Sequence, residues 1–147
     1  MSEVTIEISR RGLSIESVGQ LMPQLKSDLV EFLADDGLVI MQQEAPRGKT
    51  DKLWRSIHKT VGPDGATVKP EVDYAIYVEK GTRPHMIFPV RARALRFEIG
   101  GKIIFSAYVK HPGTQPNPFM ARTATAVRRN IPMRWREVWD RAVKTEA

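Results

Sequence analysis

The sequence contains no cysteine. That excludes a disulfide framework, an iron–sulfur cluster, a cysteine nucleophile and every thiolate zinc site. Apolar runs are short, and Leu38 to Met41 falls far below the length a bilayer requires. The N-terminus, MSEVTIEISRR, has no apolar signal core. No GxxxxGK[ST], GxGxxG or GxSxG motif is present, so phosphate-cradling loops and nucleophile elbows have no sequence support. The three histidines, His58, His85 and His111, do not stand at helical ligand spacing with one another or with a carboxylate. Catalytic, cofactor and metal residues are therefore expected to be none. The expectation is a chain without enzymatic activity, without a membrane, made and folded in a cytoplasm.

What is present is an ordinary globular composition. The 147 residues are 41% hydrophobic, 27% charged and 7% aromatic, which favours one domain spanning 1–147. The net charge is +6, unevenly spread. Residues 1–40 hold 3 Lys/Arg and 7 Asp/Glu, a net −4, whereas 41–147 hold 20 and 10, a net +10. Such asymmetry points to a nucleic-acid partner or to an acidic protein surface.

Periodicity assigns the elements. Val4, Ile6 and Ile8 alternate with polar residues, which predicts a strand over 3–9 ended by Arg10-Arg11-Gly12. Leu21, Leu25, Leu29, Phe32, Leu33 and Ile40 recur at three and four, which predicts a helix over 17–44. Ser17 and Gln20 have capping-box spacing, Pro23 fits the first turn, and Gly37 weakens the interior or marks close packing. Residues 53–61 begin as a helical turn and end as a strand, and Gly62-Pro63-Asp64-Gly65 turns the chain into a strand over 66–72. Asp73 is placed to cap a short helix carrying Tyr74, Tyr77 and Val78, which Gly81 stops in the left-handed conformation.

A loop over 81–94 precedes the clearest β signal, Leu95, Phe97 and Ile99 followed by Ile103, Phe105, Ala107 and Val109. Matching apolar faces favours a three-residue loop, Gly100 to Lys102, pairing Ile99 with Ile103 and Phe97 with Phe105. After a second loop, 110–118, Asn117 and Pro118 open a last helix. Its stripe is Val127, Ile131, Trp135, Val138 and Ala142, and Pro132 should kink or split it. Trp135 and Trp139 are core candidates, with one able to anchor a neighbour. The fold class is α+β: a small, mainly antiparallel sheet packed with a long N-terminal helix and a C-terminal helix, both on one face.

The basic residues Arg91, Arg93 and Arg96, and the seven Lys/Arg from Arg122 to Lys144, spread around their elements rather than forming one stripe. Solvated faces or contacts to acidic protein therefore weigh more than groove reading.

The run AP…TDKLWRSI, DYAIYVEKGTRPHMIFP, ALRF, VKHPGTQPNPFMARTA spans residues 45–125. It resembles the Hong Kong 97 phage "gene product ten-like" family of tail components of tailed bacteriophages. Members read AP-x-(R/K)-TG-x-L-(R/K)-x-SI, then Y-A-x-x-(V/I)-E-(F/Y)-GT, then HPGT-x-x-x-PF. The matching positions include Ala45, Pro46, Leu53, Ser56, Ile57, Tyr74, Ala75, Glu79, Gly81, Thr82, His111, Pro112, Gly113, Thr114, Pro118 and Phe119. Asp51 stands where the family has glycine, and Lys80 where it often has an aromatic.

The resemblance implies a structural virion protein, a neck or tail-completion component that assembles as a ring joining the DNA-filled head to the tail. Its partners would be copies of itself, head-completion or connector proteins, and tail terminator or tail tube proteins. Such a ring would also lie within reach of packaged duplex DNA, and the chain would localise to the virion neck after assembly in the host cytoplasm. The implied docking loops carry Glu79, Gly81, Thr82, Arg83, Pro84 and His85, then His111, Pro112, Gly113, Thr114 and Phe119. The −4 and +10 segments would be halves of a contact between subunits. Two rival readings stand beside this one: a soluble basic nucleic-acid-binding protein, and a hydrolase or nuclease using His85 or His111.

Overall fold

Two long helices and a set of short antiparallel ladders make up the chain. A computed structural model describes residues 7–8 and 13–145, with side chains from 18 to 144. By contacts the chain divides into two compact units: one runs up to Val72 and resumes at Phe119, and the other is Asp73–Pro118. The sequence carries no linker signal at either junction.

In the first unit, β1 (Glu7–Ile8) pairs antiparallel with β2 (Leu13–Ser14). The rest of the strand expected over 3–9 lies outside the described residues. Helix α1 follows at Ile15–Glu44. Because it starts directly after β2, Ser17 lies inside the helix, not at its cap. Pro23 likewise falls in the interior, past the first turn where it was expected. The helix absorbs it, leaving the Gly19 carbonyl without its intrahelical donor.

Residues 46–51 turn the chain, and Asp51 takes φ 49 and ψ 23, the left-handed region that glycine enters most readily. Its carboxylate accepts from Arg47 at 3.3 Å. The short α2 (Lys52–Arg55) leads into β3 (Ile57–Gly62), which pairs in full register with β4 (Gly65–Pro70). Helix α1 carries this hairpin on one side and packs along α4 (Phe119–Thr145) on another. Gly37 marks close packing, since a Cβ there would stand 3.2 Å from Val68 Cγ2. The buried core is Leu25, Ala34, Met41, Ala45, Leu53, Ile57, Phe119, Val138 and Val143.

Helix α4 runs unbroken through Pro132. Its inward stripe differs from the expected one. Ile131 and Trp135 are exposed, while Asn130 and Arg134 fall between buried Thr123 and Val138. Both reach Asp36 of α1: Asn130 Nδ2 donates to Oδ2 at 3.0 Å and Arg134 Nε donates to Oδ2 at 2.9 Å, with Arg134 Nη2 on Oδ1. This two-pronged guanidinium holds the Asp36 carboxyl below its ordinary value, Asn130 adding to the effect and desolvation opposing it. Arg122 similarly pairs with Glu44, and Lys59 with Asp35. Three acids of α1, Asp35, Asp36 and Glu44, are thus met by cations of the same unit.

In the second unit, α3 (Ala75–Lys80) begins after Tyr74, which makes no side-chain cap bond, so Asp73 is not the cap. Strand β5 (His85–Ile87) pairs with β8 (Val109–His111), enclosing the hairpin of β6 (Leu95–Ile99) and β7 (Lys102–Ser106). That hairpin turns on two residues, not three: Ile99 pairs with Lys102 and Phe97 with Ile104. Gly100 and Gly101 take φ 57 and φ 78, the paired positive angles of a type I′ turn. Turn geometry overrides face matching, and Ile103 and Phe105 are left outward. The fold class is α+β as expected. Among the described residues its strands form four separate two-stranded antiparallel ladders instead of one sheet under both helices.

Candidate functional site

The two Gly-Thr dipeptides meet. Thr82 N–H donates to the Thr114 carbonyl at 2.9 Å, and Thr114 N–H donates back to Thr82 at 3.0 Å. The approach is close enough that a Cβ on Gly81 would overlap the Thr114 carbonyl oxygen, and one on Gly113 would overlap that of Thr82. Both glycines have positive φ, 71 and 86. Gly81 is therefore required, but not as the expected left-handed helix stop. Its ψ of 178 is extended, and the crossing with Thr114 is what excludes a side chain. Asn117 N–H donates to the Val78 carbonyl at 2.9 Å and ties the second loop to α3.

Beyond the clamp, GTRPH and HPGT run in opposite directions and bring His85 opposite His111. Their ring centroids lie 5.0 Å apart, tilted by 34°. Each ring is oriented by its own loop. His85 Nδ1 lies 2.9 Å from the Arg83 carbonyl, an acceptor, so this nitrogen carries the hydrogen. Gly113 N–H donates to His111 Nδ1 at 3.1 Å, so here the hydrogen resides on Nε2. The clamp, the rings and the Tyr77 side chain line a cleft of about 470 Å³ with Arg83, Ile87, Thr82 and Thr114. No carboxylate lines it, so neither histidine has an acidic partner there. Among the described residues no group of three or more His, Asp or Glu could hold a metal ion.

Ten of the expected docking residues thus belong to the second unit. Gly81, Thr82, Arg83, Pro84 and His85 converge with His111, Pro112, Gly113 and Thr114, and Glu79 sits on α3 just before them. Phe119 does not join them: it is 0% exposed in the core of the first unit, where a contact to another molecule cannot reach it. His58 is remote from the cleft in sequence and unit, with Nε2 3.0 Å from a Glu71 carboxylate oxygen. Tyr77 and the orphan hydroxyl described below were not singled out by sequence, because only the folded ladder brings them to the loops.

Two further surfaces stand out. In the first unit, α1, β4 and α4 border an apolar groove of about 480 Å³, lined by residues such as Leu33, Gly37, Val68, Ala124 and Val127. In the second unit only Ala75 is buried, while Phe105 is 65% and Val90 95% exposed, with Tyr77, Phe88, Ile99 and Ile103 also out. Among the described residues no helix is long and apolar enough to cross a membrane. Compared with known proteins, the chain matches no family model, no curated protein and no solved structure.

Proposed function

We propose that the chain is a structural subunit of a tailed-phage particle, a neck or tail-completion component that forms a ring between head and tail. The observation that carries the proposal is the second unit's lack of a core. Residues 73–118 bury one side chain and present a broad apolar surface. A unit of that size does not ordinarily hold a fixed shape on so little burial, and exposed patches of this kind mark protein interfaces. Ring contacts are heterologous and need two different complementary surfaces. On this reading the apolar groove of one copy would receive the exposed β6–β7 hairpin of the next, both surfaces being apolar.

The motifs support the same reading. GTRPH and HPGT, which carry the resemblance, build one clamp that holds two stiff loops, and preorganised loops lower the ordering cost of docking. At Asp51, where the family has glycine, the backbone keeps a conformation that glycine favours. Mass spectrometry and imaging of purified particles test the proposal. The chain is expected at the head–tail joint, and its absence from intact virions and tail intermediates would sink the reading.

A second reading, a soluble nucleic-acid-binding protein, draws on the charge of the second unit. Residues 73–118 hold 7 Lys/Arg and 3 Asp/Glu, a net +4. It requires tight duplex binding with a steep salt dependence.

A further inference from the structure

We infer that the cleft between the two Gly-Thr loops is an oxyanion site that takes a phosphate group. The donor set is the first ground. The cleft is lined by Tyr77, Thr82, Arg83, His85, Ile87, His111 and Thr114, a set rich in donors with no carboxylate among them. Arg83 has no ion-pair partner among the described residues.

The second ground is independent of charge. Thr82 Oγ1 is shut from solvent and has no hydrogen-bond partner. A buried hydroxyl without a partner is uncommon in folded proteins and calls for an explanation. This one belongs to a residue of the clamp that also lines the cleft, and rotation of the Thr82 side chain about χ1 would turn the hydroxyl from its closed position towards a ligand oxygen.

The ring tautomers are the third ground. His111 has Nδ1 occupied by the Gly113 N–H, so Nε2–H is its donor. His85 has Nδ1–H committed to the Arg83 carbonyl, so protonation adds a donor at Nε2 and sacrifices no existing bond. The titratable groups lining the cleft are Tyr77 from α3, Arg83 and His85 from the first loop, and His111 from β8. A cation is disfavoured in the cleft, because two imidazoles are too few ligands and the guanidinium repels it.

Phosphate is favoured over carboxylate because the same unit offers more uncompensated positive charge. Arg91, Arg93, Arg96 and Lys102 have no ion-pair partner among the described residues, as suits a chain of phosphates. The site stands whether or not the chain is a particle component. It goes beyond that proposal and fails or survives separately.

The test uses the full chain followed by NMR at the imidazole CH groups and the Thr82 and Thr114 amides. Dimethyl phosphate, whose charge is constant between pH 6 and 8, is titrated first, and a short DNA duplex second. The expected result is a shift of all four residues by dimethyl phosphate, binding about fivefold tighter at pH 6 than at pH 8, and loss of the response in Arg83→Ala. Thr82→Val, which swaps the orphan hydroxyl for a methyl, should weaken phosphate binding while the free protein melts no lower than the parent. Arg128→Ala, in the other unit, should change nothing. A duplex that moves the same signals assigns the phosphate to DNA, and dimethyl phosphate alone assigns it to a small ligand. Equal or tighter binding of acetate, a response that survives Arg83→Ala, or a duplex response confined to Arg91, Arg93 and Arg96 would overturn the site.

Discussion

Gly81 and Gly113 each combine a positive φ with a neighbour that leaves no space for a Cβ. Either Gly81→Ala or Gly113→Ala must push the two loops apart, and the reciprocal Thr82–Thr114 bonds should break. Hydrogen exchange should show both threonine amides losing protection together, with the α1–α4 core unaffected. Asp36 makes a different kind of claim. Its side chain is 11% exposed and its partner Arg134 26%, so removing the carboxylate charge leaves a half-buried guanidinium with only the more exposed Glu137 as its counter-charge. Asp36→Asn should cost about 2 kcal/mol. The folded pKa lies below the ordinary 3.8, so the ion pair contributes fully above that value and is lost as pH falls through the lowered one. The stability gap between variant and parent should therefore be flat from pH 5 to 8 and close only in strong acid, as read by urea unfolding.

At the scale of elements, strong periodicity overrides local breakers. α1 runs 30 residues through Pro23 and α4 runs 27 through Pro132, because one face of each is held by the other. Pro23 is exposed and inside the helix. Pro23→Ala restores a helix bond to Gly19 and should raise stability by about 1 kcal/mol or more in thermal unfolding. The β6–β7 hairpin carries the opposite lesson. Alternation located both strands, but Gly100-Gly101 set their register and turned Ile103 and Phe105 to the outside. Likewise the α4 stripe was legible in its spacing, yet its middle is Asn130 and Arg134. Those residues look like surface in sequence and become interior only because Asp36 lies across from them.

At the scale of the whole chain, apolar surface is divided unequally between the two units. The first buries a core of conventional size, while the second leaves most of its large side chains outside. If that surface is where copies meet, Ile103→Asp with Phe105→Asp should lower the oligomeric mass in light scattering without changing the melting of α1 and α4. An unchanged mass would show that the hairpin faces something other than a second copy. Charge is paired across the acidic and basic segments within one unit. Arg134 and Arg122 of the basic segment answer Asp36 and Glu44 of α1 inside one unit, while Arg83, Arg91, Arg93 and Arg96 have no ion-pair partner among the described residues.

The sequence alone located the two long helices, the short helix after Asp73, the two tight hairpins and the two glycine-threonine loops, because these rest on local periodicity and turn chemistry, whereas it read β5 and the end of β8 as loop. It also proposed docking residues in those loops, and the structure buries one of the proposed set, Phe119, in the core of the first unit. The tertiary structure decided the hairpin register, the partners of the charges and the meeting of GTRPH with HPGT. Each of these is a pairing between residues distant in the chain, and local pattern carries no information about which distant group supplies the missing hydrogen bond or counter-charge.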